Sequence, residues 1–119
     1  MKVVRGIRGA ITVERDEAEA IVAATKRLLR EIVARNDIEL DDIASVLFSV
    51  TADLHAQFPA RGARELGWAY VPMLHFTEVE VAGALPRCIR VLMHVDTPRR
   101  ELHHVYLEGA RGLRDDLPE

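Results

Sequence analysis

The sequence predicts an α+β fold in which a helix covers one face of a sheet. Residues 3–13 and 87–96 alternate apolar side chains with a more mixed set, which is the period-two pattern of strands with one buried face. Residues 16–35 place their apolar side chains in a single stripe at helical spacing, as expected of a helix that packs on a sheet. A chain of 119 residues is long enough for one core, and we expect a single domain over residues 1–119.

The first predicted strand has one aliphatic face and one face of unusual composition. Arg8 lies on the second face, where small neighbours leave room beside it. Such a position suits a ligand pocket or a close subunit contact, although an exposed arginine on a sheet is the commoner case. The aliphatic face, with Arg5 as its exception, is formed by Val3, Ile7, Ile11 and Val13, and the second face by Val4, Gly6, Arg8, Ala10 and Thr12.

The elements that follow are a long helix, a short turn, a strand and a short helix. Asp16 and Glu19 resemble a capping box at the start of the long helix, and Asn36 can close it. Pro59 favours a first helical position and Gly67 a C-terminal cap, so a two-turn helix is expected between them. The turn and the strand are predicted over residues 39–43 and 44–50. One face of the short helix carries Arg61 and Arg64. This face is either a solvated basic edge or part of a ligand site.

Three strands are predicted in the second half of the chain, and the middle one contains the most informative residue. Arg90 stands in mid-strand within residues 87–96, on the face shared with Cys88, Leu92 and His94. A buried arginine without an anionic or carbonyl partner costs several kcal/mol, and the candidate partners are Glu78 or a ligand carboxylate. The other elements are an edge strand broken by Pro72 over residues 70–76, a short strand over residues 104–107, and an uncertain tail over residues 108–119 with Arg111 and Arg114.

Composition excludes several classes of protein. A net charge of -3 and a pI near 5.9 imply no general affinity for nucleic acid or for an anionic membrane. The longest apolar stretches are far shorter than the roughly 20 residues that cross a bilayer, and arginines interrupt the only candidate signal segment, so a cytoplasmic location is expected. Cys88 is the only cysteine, which excludes an internal disulfide, and the five histidines lack ligand spacing, so no metal site is predicted.

The remaining candidate chemistry is the binding of a small dianion. No glycine-rich phosphate loop, nucleophile elbow or framed pair of carboxylates is present. Fourteen of the 16 basic residues are arginine, whose planar fork binds carboxylates in a bidentate manner, although a codon bias explains the excess equally well. Arginines on three elements, one glutamate and one tyrosine can bind and orient a dianion, but they offer little for covalent or acid-base catalysis.

Four segments give the chain a family resemblance: RGIRGAITVERD (5–16), LHAQFPARGARELGW (54–68), CIRVLMHV (88–95) and HVYLEGARGLRDDL (104–117). With these motifs the sequence resembles the monofunctional chorismate mutases of the trimeric Bacillus type. The resemblance implies an isomerase of the shikimate pathway that converts chorismate to prephenate by a Claisen rearrangement, without a cofactor. It also implies a ferredoxin-like mixed sheet with helices on one face, assembled as a pseudo-α/β-barrel homotrimer with active sites between subunits.

The resemblance assigns roles to individual residues. Arg90 takes the place beside the ether oxygen, Arg8 and Tyr106 are carboxylate contacts, and Glu78 accepts the ring hydroxyl. The apolar lining corresponds to Phe58, Ala60, Met73, Leu74 and Leu113, and positive residues near the entrance to Arg61, Arg64 and Arg114. By analogy, Phe58, Arg61 and Arg64 come from one subunit and Arg8, Glu78, Arg90 and Tyr106 from the next.

Two departures from the family pattern affect these assignments. His75 stands where the family usually has Cys or Ser to hold the substrate hydroxyl, and Asp115 stands where proline is usual. An imidazole can replace the hydrogen bond but changes the shape of the pocket. Two alternatives stay open at this point: an imine deaminase-like trimer, and a non-catalytic sensor of amino acids or small carboxylates.

Overall fold

The computed structural model describes residues 2–113, which form five strands, two α-helices and two 3-10 turns. Most predicted elements are present with boundaries within a few residues of those expected. In chain order the elements are β1 (Val3–Thr12), α1 (Ala18–Asn36), a 3-10 turn (Leu40–Asp42), β2 (Ile43–Val50), α2 (Ala60–Glu65), β3 (Met73–Thr77), β4 (Cys88–Thr97), β5 (Val105–Leu107) and a second 3-10 turn (Glu108–Gly112).

The strands form one mixed sheet in the order β3-β2-β4-β1-β5. Strand β4 runs antiparallel to both of its neighbours, β1 and β2, whereas the outer pairs β1-β5 and β2-β3 are parallel. The α+β class is therefore confirmed. Because β4 is inserted between β1 and β2, the unit β1-α1-β2 is a split β-α-β, as in ferredoxin-like folds.

The element order nevertheless differs from the ferredoxin-like pattern. That pattern is β-α-β-β-α-β, whereas here the second helix, α2, connects β2 to its parallel neighbour β3. The link from β4 to β5 is correspondingly without a helix among the residues described between them. The α-helices lie together on one face of the sheet, where α1 packs on the strands and α2 packs on α1.

The core lies between α1 and the aliphatic face of the sheet. Two glycines allow the close packing, since a Cβ on Gly9 would lie 2.9 Å from Ile32 Cδ1 and a Cβ on Gly62 would lie 2.9 Å from Thr25 Cβ. The first contact joins β1 to α1 and the second joins α2 to α1. The side chains buried in this core include Ile7, Ile11, Ile21, Leu28, Leu29, Ile32, Val46, Phe48, Ile89, Met93 and Val95.

The prediction of a capping box at Asp16 is wrong. The residue at the N-cap of α1 is Glu17, and its side chain makes no capping hydrogen bond. Asp16 Oδ1 instead accepts hydrogen bonds from the amides of His55 and Ala56, both at 2.9 Å. The carboxylate therefore fixes the loop that leads to α2, because it accepts hydrogen bonds from two consecutive amides of that loop.

The edge position predicted for the strand broken by Pro72 is confirmed, but the strand begins only at Met73. Residues 70–72 precede it in a turn, in which the Tyr70 side chain is almost fully exposed. Arg114 and Asp115 lie outside the described residues. Over residues 2–113, the helices are too short or too polar to cross a membrane.

Candidate active site

The strand register places the predicted catalytic residues on the sheet face opposite the helices. Paired residues of neighbouring strands form rows across the sheet, and the side chains of one row point to the same face. One row consists of Phe76, Ser49, Arg90, Ala10 and Tyr106, and the next row on this face consists of Leu74, Leu47, Leu92 and Arg8. Arg90, Arg8 and Tyr106 thus come together although they lie far apart in the sequence.

Arg90 and Glu78 form an ion pair at the centre of this face. Glu78 follows β3 directly, and its amide donates to the Val50 carbonyl at 2.8 Å, which extends the pairing of β3 with β2 by one residue. Ser49 Oγ donates to Glu78 Oε1 at 3.3 Å. Glu78 is therefore the partner that the mid-strand arginine was predicted to need.

The ion pair does not satisfy every donor of the guanidinium. The ion pair uses the buried Arg90 Nε, which faces Glu78 Oε1, and leaves the N–H groups of the two terminal guanidinium nitrogens. The side chain as a whole is 37% exposed. Because a guanidinium has five N–H donors, one carboxylate leaves capacity for a second anionic or polar group at this position.

Small apolar residues form the floor beside Arg90. Ala10 and Cys88 are buried, and Ala110 of the second 3-10 turn covers them. Tyr106 and Leu113 pack partly buried against the same cluster. Burial raises the pKa of the Cys88 thiol to about 11 against the smaller opposing effect of Arg90, so the thiol is neutral near pH 7 and unsuited to nucleophilic chemistry.

The position of Arg8 is fixed from the neighbouring edge strand. Its amide donates to His104 Nδ1 at 2.9 Å, while its side chain is exposed on the face that holds Arg90. Sequence reasoning missed both His104 and Ser49 as supports of the site. Ser49 shows a usable signal, since it alternates with the core residues Phe48 and Val50, but its contact with Glu78 requires the register of two strands.

A second group of predicted site residues lies around the edge strand and the start of α2. The His75 ring stacks on Phe48, with ring centroids 5.3 Å apart and planes 16° apart, and Phe58 approaches it at 5.3 Å. His75 Nε2 accepts a hydrogen bond from the Ala60 amide at 3.1 Å. His75 pairs with the core residue Phe48 in the register, so its ring lies on the helix side of the sheet, opposite Arg90.

The other predicted lining and entrance residues divide between the two faces. Met73 packs against the core, whereas Leu74 is exposed on the face of Arg90. Arg61 and Arg64 are exposed on α2, and Arg61 pairs with Glu65 at 3.7 Å. The chain thus has two groups of predicted site residues: Arg8, Glu78, Arg90, Tyr106 and Leu113 on one face, and Phe58, Ala60 and His75 at the other side of the sheet edge.

The first group can hold a small anion beside a cation in a partly buried setting. Its members offer hydrogen bonds and charge, and none is positioned against an acid or base partner in a way that suggests proton transfer. Within residues 2–113, no three side chains of His, Cys, Asp or Glu gather as metal ligands would.

Comparisons with known proteins point to one family. The family model for chorismate mutase type I matches residues 4–117. Chorismate mutase AroH of Bacillus subtilis is 50% identical over 117 residues, covering 96% of this chain and 92% of that protein. Chorismate mutase AroH of Thermus thermophilus is 51% identical over 117 residues, which cover 96% of this chain and 96% of that protein. The solved structure of a chorismate mutase from Clostridium thermocellum has a TM-score of 0.87 at 47% identity, over 89% of this chain and 96% of that one.

Proposed function

The chain belongs to the chorismate mutase type I family, and on that premise we propose that Arg90 stabilises the charge that develops as chorismate rearranges to prephenate. The protein is an isomerase of aromatic amino acid biosynthesis. The observation that supports the role of Arg90 is its partly exposed guanidinium, whose Nε faces Glu78 while its terminal N–H groups leave donor capacity for a substrate oxygen. The comparisons support neither the sensor nor the deaminase alternative.

The reaction requires folding of the substrate and stabilisation of charge. Chorismate adopts a compact chair-like shape before its C–O bond breaks and its C–C bond forms, so positioning contributes to the rate. As the C–O bond lengthens, the ether oxygen becomes negative. A fixed cation there stabilises the transition state more than the ground state, which lowers the barrier without proton transfer.

Each remaining residue of the Arg90 face has a proposed part in holding the substrate. Arg8 and Tyr106 bind carboxylate oxygens, and Glu78 accepts the ring hydroxyl. Ser49 holds the Glu78 carboxylate through its hydrogen bond to Oε1. Ala10, which stands between Arg90 and Tyr106 in the row, has a side chain small enough to leave space for the ring.

The complete site is proposed to lie between two subunits of a cytoplasmic homotrimer. Phe58, Arg61 and Arg64 are exposed beside the edge strand, and the Arg90 face is exposed on the opposite side of the sheet. An interface would also cover the apolar surface of that face, where Leu74 is 60% and Phe76 is 50% exposed. Arg114, which the resemblance assigns to the entrance, lies outside the described residues.

The assay that tests the function measures the conversion of chorismate to prephenate by the purified protein. Loss of the conjugated diene and appearance of prephenate, without any added cofactor or metal, are the expected result. Binding of chorismate without turnover would contradict the proposal and would favour a sensor.

A further inference from the structure

The imidazole of His75 occupies a place in the fold that a small Cys or Ser side chain would not fill. Its ring stacks on Phe48 of the core and contacts the exposed ring of Phe58 at an interplanar angle of 48°. Its Nε2 accepts the Ala60 amide at 3.1 Å. The side chain therefore links the edge strand β3 to the start of α2 through one hydrogen bond and one ring contact, and it stacks on β2 through Phe48.

The amide of Ala60 depends on this acceptor. Helix α2 begins after Pro59, which offers no side-chain cap. The next two amides have local acceptors, because Arg61 N donates to the Phe58 carbonyl at 3.0 Å and Gly62 N to the Pro59 carbonyl at 2.9 Å. Ala60 is buried, and a buried amide left without an acceptor destabilises the local structure.

We propose that neutral His75 is a positioning residue that fixes the Phe58–Arg64 part of the substrate site by accepting the Ala60 amide, and that its protonation releases this part. The proposal rests on the proposed function, since it is the substrate role of Phe58 and Arg64 that makes their position matter. Only the tautomer with a bare Nε2 can accept the amide. An imidazolium would present an N–H to an N–H, and the link between β3 and α2 would be lost.

The surroundings of the ring favour its neutral form. Burial, first, and the charge of Arg64, second, lower the pKa of His75 below its ordinary value of 6.5. His55 lines the same pocket and pairs with Asp16 at 3.1 Å, and the strands contribute Val50, Phe76 and Thr77, which do not titrate. The hydrogen bond is therefore intact above pH 6.5 and is lost as the pH falls through the lower pKa of the folded protein.

Three variants separate positioning from a merely structural role. In His75→Gln the side-chain oxygen extends about as far as Nε2 of the imidazole, so it can accept the Ala60 amide, and it does not titrate. In His75→Asn the side chain is too short for its oxygen to reach this amide. We expect kcat/KM of His75→Gln within about twofold of the parent at pH 7.5, and that of His75→Asn about two- to tenfold lower, mainly through KM, as for the loss of one neutral hydrogen bond. His55→Gln is the matched control, because it removes the other histidine that lines the pocket.

The decisive readout is the acid side of the pH profile. The parent and His55→Gln should lose kcat/KM as the pH falls below 6.5 through the lowered pKa of His75, and His75→Gln should not. The proposal is overturned if His75→Gln keeps the acid loss of the parent, or if His75→Asn equals His75→Gln at every pH.

A measurement without substrate separates this proposal from the proposed function. In ¹⁵N spectra the Ala60 amide of the parent should shift with the same midpoint as the His75 ring nitrogens, and the Ala60 shift should vanish in His75→Gln. If the chemical shift of the Ala60 amide does not change as His75 titrates, the proposed hydrogen-bond link is wrong, even if the protein is active. A protein without mutase activity but with coupled titration rejects only the proposed function.

Discussion

At the scale of residues, the site depends on how one face of the sheet accommodates the positive charge of Arg90. The sequence was enough to predict that Arg90 needs a partner, because an arginine in a central strand cannot remain unpaired without cost. It left open whether Glu78 or a ligand would serve, since Glu78 reaches Arg90 only through the pairing of β3 with β2. The pair found in the structure suits a site that must hold a cation before the substrate arrives.

Ser49 provides a test of this arrangement. Ser49→Ala removes the donor to Glu78 Oε1, and we expect kcat/KM to fall about tenfold, the lower end for loss of a hydrogen bond to a charged group, because this bond is long at 3.3 Å. Ser45→Ala is the matched control, since Ser45 points to the same face of β2 but bonds to His94 at 2.8 Å. Steady-state kinetics of both variants check the prediction, and equal losses would contradict it.

The ionisable side chains of the site also predict the pH dependence at neutral and alkaline pH. His75, with its lowered pKa, has lost its proton above 6.5, and Cys88, with its pKa raised to about 11, keeps its proton through pH 9. No charge on either residue changes between these limits. A rate profile of kcat that is flat from about pH 6.5 to 9 is expected, and a bell centred near neutrality would instead indicate histidine catalysis.

At the scale of elements, close packing of α2 on α1 holds the start of α2 in place. A Cβ on Gly62 would lie 2.9 Å from Thr25 Cβ and 3.0 Å from the Val22 carbonyl, so Gly62→Ala forces the helices apart. We expect a loss of about 1–3 kcal/mol in the free energy of unfolding, as for other overpacked sites. Chemical denaturation measures it, and Gly112→Ala, which meets nothing within 4 Å, should change it by less than about 0.5 kcal/mol.

Local patterns predicted the elements well where periodicity was long and poorly where a side chain had two possible uses. The alternation in β1 and β4 and the stripe of α1 follow from burial of one face, which is a local property. Asp16 was misassigned because its spacing to Glu19 fits a capping box, whereas the fold brings the amides of His55 and Ala56 within its reach. A local sequence pattern does not show that the amides of a distant loop compete for the same carboxylate.

At the scale of the whole molecule, the sequence pattern could not give the order of the strands. Insertion of β4 between β1 and β2 joins Arg90 to Arg8 and Tyr106, and this depends on non-local pairing. The same limit applies to His75, whose place with Phe58 and Ala60 on the helix side of the sheet follows from its pairing with Phe48. Its contact with the substrate stays a prediction. Alternation along β3 alone does not say which face meets the substrate.

Mixing two inactive variants tests whether the sites lie between subunits. Arg90→Ala damages one group of site residues, and a Phe58→Ala, Arg64→Ala double variant damages the other. If each site takes one group from each of two neighbours, random one-to-one trimers should regain about one active site in four. Co-expression followed by activity measurement checks this, and a mixture no more active than its components would place the whole site within one subunit.

The most direct test of the central claim removes the charge of Arg90 and keeps its shape. With citrulline at position 90 the mechanism predicts a fall in kcat of at least about a hundredfold, equivalent to roughly 3 kcal/mol of lost transition-state stabilisation, as for deletion of one oxyanion donor. Chorismate should still bind, since Arg8 and Tyr106 are unchanged. A kcat close to that of the parent would show that the cation does not stabilise the developing charge.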